Sequence, residues 1–138
     1  VVLVVGFHSP MERDCLEILL RGGPGAVRVA AKGLPNFRLG RAGRQALREG
    51  RLLLLTEYGP EVRRTIARQT ARRNELVAAL AEALFVPYAR PGDGTWATAS
   101  QAILRGRPVH TLDIEDNADL LALGARPVSP SRLPRFPA

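Results

Sequence analysis

Val1-Val2-Leu3-Val4-Val5 is an unbroken apolar run rich in β-branched residues, which predicts a strand covered on both faces, as in a parallel sheet. Gly6 ends the run. Ser9, Pro10 and Glu12 then supply an N-cap, a first-turn proline and a capping-box acid, so a helix is predicted over 10–21, stopping at Gly22 and Gly23. Further apolar strands are predicted at 26–31, 51–55, 84–88 and 109–112. Between them, a loop over 33–43 leads into a short helix through Gln45 and Leu47 that ends at Gly50. The longest helical period covers 61–83, with Val62, Ile66, Arg73, Val77, Leu80 and Leu84 near one stripe, so an arginine sits where an apolar residue is due. Helices are also predicted at 96–105, closed by Gly106, and at 117–123, closed by Gly124. Strands alternating with helices through short glycine-bearing loops predict an α/β protein built on an open, mostly parallel sheet with right-handed crossovers.

From Pro127 the pattern stops. Pro127, Pro130, Pro134 and Pro137 with Arg132 and Arg135 predict a tail, 127–138, without regular structure, leaving one domain over 1–126. The chain begins inside an apolar strand without an initiator Met, so an upstream strand and helix are expected to precede it. A length of 138 residues, 46% of them hydrophobic, fits a single globular domain and excludes wholesale disorder. The lone cysteine, Cys15, excludes an internal disulfide and a cysteine zinc site, and its neighbours Leu16, Ile18 and Leu19 predict that it is buried on the first helix. No apolar run reaches the roughly 18 residues of a membrane span, so no membrane partner is expected and the location is expected to be cytoplasmic.

Charge changes the picture most. Twenty basic residues face 13 acids, giving a net +7, and Lys32 is the single lysine, so the surplus is arginine. Residues 41–73 hold nine arginines and three acids, which places six of the seven surplus charges in that stretch. An anionic partner is expected there.

Three places carry suitable chemistry, because ligands of parallel α/β sheets bind where strand ends meet helix N-termini. One is the turn Gly6-Phe7-His8-Ser9-Pro10, which also has the residues any strand-to-helix turn needs. Another is Pro91-Gly92-Asp93-Gly94-Thr95-Trp96-Ala97-Thr98, whose glycines let backbone approach a phosphate and whose Thr95 and Thr98 supply hydroxyls, though it lacks the Walker lysine and the dinucleotide glycine spacing. The last is the arginine set Arg63, Arg64, Arg68, Arg72 and Arg73, in which 64, 68 and 72 are spaced by four along one helical face with few acids in register. Arg73 points at the sheet and needs a partner, a bound phosphate or a carboxylate such as Glu57. His8 and His110 lie far apart, and no paired carboxylates, metal-spaced cluster or nucleophile elbow is present, so no catalytic residue, metal or cofactor is assigned. Trp96, Phe7 and Phe37 could stack bases but fit the core better.

In order along the chain, Thr56-Glu57-Tyr58, Ala71-Arg72-Arg73-Asn74-Glu75 and its apolar continuation, Leu84-Phe85-Val86, Asp93-Gly94-Thr95-Trp96-Ala97-Thr98 and Gly106-Arg107-Pro108-Val109 resemble the DNA-processing protein A (DprA/Smf) family. That family shows a Ser-Glu-Tyr-Pro element, an Arg-Asn-Arg helix, a hydrophobic strand, a Ser-Gly-Ser/Thr-x-x-Thr loop and a Gly-Arg-x-Val strand. The resemblance implies a three-layer Rossmann-like fold with helices on both faces of the sheet, single-stranded DNA binding, and help in loading a RecA-type recombinase during natural transformation. By motif position it implies an anion pocket lined by Arg73, Asn74, Gly92, Gly94, Thr95 and Thr98 and closed by Gly6, His8 and Ser9. The arginine face of Arg63, Arg64, Arg68 and Arg72 is expected on the nucleic acid by its spacing and charge, and a homodimer is among the expected partners. Glu75 stands in place of the second arginine of Arg-Asn-Arg and Asp93 in place of the serine. The loop is also similar to Pro-Gly-Gly-x-Gly-Thr-x-x-Glu of Lonely Guy-type phosphoribohydrolases, which implies a nucleotide sensor or nucleoside-monophosphate hydrolase as the alternative. Thr98 occupies the glutamate position and cannot act as that acid, which ranks the hydrolase second.

Overall fold

The computed structural model describes residues 2–6, 10–21, 25–129 and 131, and the chain divides into two compact units, Val1–Val77 and Ala78–Ala138. In the first unit, β1 (Leu3–Val5), β2 (Ala26–Ala30) and β3 (Leu52–Thr56) form a parallel sheet in the order β1-β2-β3. Register aligns Leu3, Ala26 and Leu52 in one row and Val5, Arg28 and Leu54 two residues further along, so both rows share a face. That face packs with Leu16, Leu19 and Leu20 of α1 (Pro10–Leu20) and with Ala46 of α2 (Arg41–Arg48), burying the apolar surface that drives the unit together. The second unit repeats the design with β4 (Leu84–Val86), β5 (Val109–Leu112) and β6 (Arg126–Val128), again parallel and in sequence order. Its core, around Leu84, Val86, Ala99, Ala102, Val109 and Leu120, joins that sheet to α4 (Gly94–Leu104) and α5 (Ala118–Leu123). The expected parallel α/β class is therefore present, with the hydrogen-bonded strands in two three-stranded sheets.

Several boundaries differ from the sequence reading for local reasons. Helix α2 starts at Arg41, inside the predicted loop, because Gly43 serves packing rather than turning: it is buried, and a Cβ there would lie 3.1 Å from Leu39 Cδ2. The long helix, predicted from 61, is α3 (Ala67–Leu80). Tertiary bonds hold the start of that segment in another shape, since Gly33 N–H donates to Val62 O and Asn36 Nδ2 donates to Pro60 O and Val62 O, while locally the Gln69 side chain accepts from Ile66 N–H where the helix begins. Arg126–Val128 is a strand, where the prolines predict none; β6 pairs on one side only, and an edge strand tolerates a proline whose missing N–H would face outward. Cys15 is exposed rather than buried, because Leu16 takes the inward position of α1. The predicted Ser9 cap, the Gly22-Gly23 stop and the arginines of the tail lie outside the described residues.

Candidate nucleic-acid interface

At the carboxyl edge of the first sheet, Thr56 closes β3 with its hydroxyl 3.1 Å from Ala30 O and 3.0 Å from Lys32 O, while accepting from Tyr58 N–H. This ties the ends of β2 and β3 together and presents Glu57 and Tyr58 beside α3. Glu57, Tyr58, Arg68, Ala71, Arg72 and Glu75 line a pocket of about 400 Å³.

The arginine set splits in two. Arg63 and Arg64 lie in the segment before α3, so the predicted single face through 64, 68 and 72 is replaced by a loop pair followed by one helical turn, Arg68 to Arg72. Arg63, Arg64 and Arg68 are exposed, and among the described residues no carboxylate pairs with them. Arg72 differs. It bonds Glu57 Oε1 and Glu75 Oε2, each at 3.1 Å, and those two carboxylates hold its guanidinium firmly protonated. The expected scarcity of acids in register thus fails at Arg72, and Glu57, a predicted partner for Arg73, serves Arg72 instead.

Arg73 is the buried residue of α3, only 6% exposed, at the position where the apolar stripe requires an inward side chain. Its Nε and Nη2 donate to Asn74 Oδ1 at 3.2 and 2.8 Å, while Nη1 is buried with no hydrogen-bond partner. Its guanidinium lies against Gly6: a Cβ on Gly6 would stand 2.7 Å from Arg73 Cζ, so the side chain has its place because residue 6 has none. Burial lowers the Arg73 pKa and the charge of Glu12 opposes that shift. Gly6, Arg73 and Asn74 are thus brought together, with Asn74 acting as the acceptor that orients Arg73; His8 and Ser9 lie outside the described residues.

Sequence reasoning missed Arg28, and it assigned Phe37 to the core rather than to a contact with that arginine. Arg28 sits in the row between Val5 and Leu54, with its guanidinium 4.5 Å from the centre of the Phe37 ring and its Nε buried without a partner. Desolvation lowers its pKa, the charge of Arg73 lowers it further, and Glu12 raises it. Part of the signal lay in the sequence, a lone charge within an apolar strand; its inward direction comes only from the strand register, and a charge so placed is costly enough to mark a site.

In the second unit, Gly92 lies in the loop before α4, whereas Gly94, Thr95 and Thr98 belong to the helix itself, which starts at Gly94 rather than at the predicted 96. Asp93 fills the N-terminus of α4 itself: Oδ1 accepts from Trp96 N–H at 2.6 Å and Oδ2 from Arg90 N–H at 2.9 Å. Thr98 Oγ1 donates to Gly94 O within its own helix. Trp96 is half-buried against the core, in line with its expected role there. Among the described residues no cluster of three metal-ligating side chains is found, and no helix is long and apolar enough to cross a membrane.

The fold and these residues find counterparts among known proteins. The chain is similar to the X-ray structure of DNA processing protein A from Streptococcus pneumoniae, with a TM-score of 0.74 and 23% identity over 99% of this chain and 51% of that one. It is also similar to DNA processing protein A from Helicobacter pylori, a structure described for its single-stranded DNA binding mode, with a TM-score of 0.62 and 17% identity over 92% of this chain and 74% of that one. The chain thus spans about half the length of the Streptococcus pneumoniae protein, and the likeness establishes the Rossmann-like fold. No curated protein sequence matches the chain. The family model of DNA recombination-mediator protein A matches residues 20–126. That span includes β2, the arginine segment, α3 and the whole second sheet up to the first residue of β6, so the chain belongs to the DNA recombination-mediator protein A family.

Proposed function

We propose that the chain is a non-catalytic single-stranded DNA-binding module. The observation that carries this reading is the trio Arg63, Arg64 and Arg68, exposed and without carboxylate partners among the described residues, of which Arg68 lines the pocket that holds Tyr58. Exposed, uncompensated guanidinium groups suit the phosphates of a flexible strand, and the aromatic ring that shares a pocket with Arg68 suits stacking of a base without sequence preference. Family membership and the Helicobacter pylori relative, whose structure was described for single-stranded DNA binding, support the same ligand. Arg72 contributes less, since Glu57 and Glu75 already compensate its charge. The finer reading is that the bound strand is passed to a RecA-type recombinase in the cytoplasm during DNA uptake, by a homodimer; family membership supports it, and co-sedimentation with such a recombinase on a strand tests it.

The test of strand binding is charge reversal at Arg63, Arg64 and Arg68 together, read by titration of labelled oligonucleotides of several sequences. Affinity is expected to fall by a similar factor for every sequence, because phosphate contacts carry no sequence information. Unchanged affinity in a folded variant would remove the arginine trio from the account.

A further inference from the structure

Arg28 is the residue that local rules explain least. Its row is apolar on both flanks, and α1 and α2 cover that face, yet it carries a full charge whose Nε has no hydrogen-bond partner. Arg73, nearly fully buried against Gly6, leaves Nη1 in the same condition. Each guanidinium feels the charge of Glu12, and Arg28 also feels that of Arg73. Two desolvated cations beside one carboxylate carry a standing electrostatic cost, and both have N–H groups to spare.

We propose that Arg28 and Arg73, with Gly6 as the floor, form a site for a terminal phosphate group, the phosphomonoester at the end of a DNA strand or on a free mononucleotide. Several features select that chemistry. A monoester dianion offsets two guanidiniums, whereas a backbone diester carries one charge. Its three terminal oxygens offer acceptors to two guanidiniums that each keep an unpartnered N–H, which the two oxygens of a carboxylate do less well. Arg73 is too deeply buried for the interior of a strand to run past it, while a chain end can enter. The Phe37 ring lies 4.5 Å from the Arg28 guanidinium and holds it in place before the ligand arrives. The strand-end source rests on the strand-binding reading, whereas the mononucleotide source does not.

The experiment compares the wild-type chain with Arg28→Leu, which removes the charge and retains an apolar side chain. Oligonucleotides of one sequence with a phosphate or a hydroxyl at each end are titrated, and thermal unfolding is followed with inorganic phosphate or a mononucleotide against chloride at equal ionic strength. The wild type is expected to prefer a phosphorylated end about tenfold, the size of one charge-assisted hydrogen-bond set, and to unfold at a higher temperature with phosphate. Arg28→Leu is expected to lose both responses, and to unfold at a higher temperature than wild type when phosphate is absent, which also shows that it folds. If Arg28→Leu does not fold, Arg28→Lys replaces it, with the preference reduced but present. A phosphate response from mononucleotide alone assigns the site to free nucleotides, and one from strand ends assigns it to DNA. Equal binding of all oligonucleotides together with no thermal response to phosphate overturns the proposal while leaving strand binding intact. So does a preference that survives Arg28→Leu in full. Loss of oligonucleotide binding with a retained phosphate response has the opposite meaning: the inner site stands and the strand-binding reading falls.

Discussion

Asn74 gives Arg73 its only side-chain acceptor within hydrogen-bond reach among the described residues, and its neutrality leaves the cation's charge available to a ligand. Replacing Asn74 by Asp turns that acceptor into a counter-ion. Asn74→Asp is expected to raise the unfolding temperature and to weaken phosphate binding, two opposite effects measured in the same thermal scans; a variant that binds phosphate as tightly as wild type would refute the role given to Asn74. At this scale the sequence was partly legible. Arg73 stood out because it broke an apolar stripe, whereas Arg28 lay in a strand too short for its period to show which face it takes. The pairing of Arg72 with Glu57 could not be read, since those residues are 15 apart and meet only through the β3-to-α3 connection.

At the scale of elements, the cap of α4 and the strand pair β5 and β6 carry separate predictions. Asp93 both caps α4 and holds the Arg90 N–H, so Asp93→Ala is expected to cost ~1 kcal/mol in urea unfolding. The same substitution opens the helix N-terminus to outside anions, which phosphate titration of the variant would register. His110 on β5 is held below its usual pKa by burial and then by Arg126 across the strand pair. The folded state therefore favours the neutral ring, so its contribution to stability is complete above the unfolded pKa of about 6.5 and is lost as pH falls below it. Unfolding temperatures between about pH 7 and pH 5 should drop more for wild type than for His110→Gln; equal slopes would contradict this. Elements with strong local signals, such as β5 over Val109–Leu112 and the start of α1 at Pro10, appear where the sequence places them. The misplacements, the start of α3 and the strand β6, arise where distant partners decide: Asn36 and Gly33 hold residues 60–62 out of a helix, and β5 recruits Pro127 into a strand.

For the whole molecule, the question is what the surplus charge does. Six of the seven net positive charges fall within 41–73, and the structure divides that surplus by function. Arg51 and Arg72 are spent on Glu49, Glu57 and Glu75, Arg73 is buried at the sheet edge, and Arg63, Arg64 and Arg68 face solvent without carboxylate partners among the described residues. Family membership was legible in the order of the motifs, and the family match over residues 20–126 contains all of them. The site was less legible, because ion pairing and burial, not residue type, determine which arginines remain available. The most direct test is the affinity of the wild-type chain for a labelled single strand across a series of salt concentrations. Three phosphate contacts predict that log affinity falls against log salt with a slope of about −2. A flat response, or no binding near physiological salt, would contradict the account.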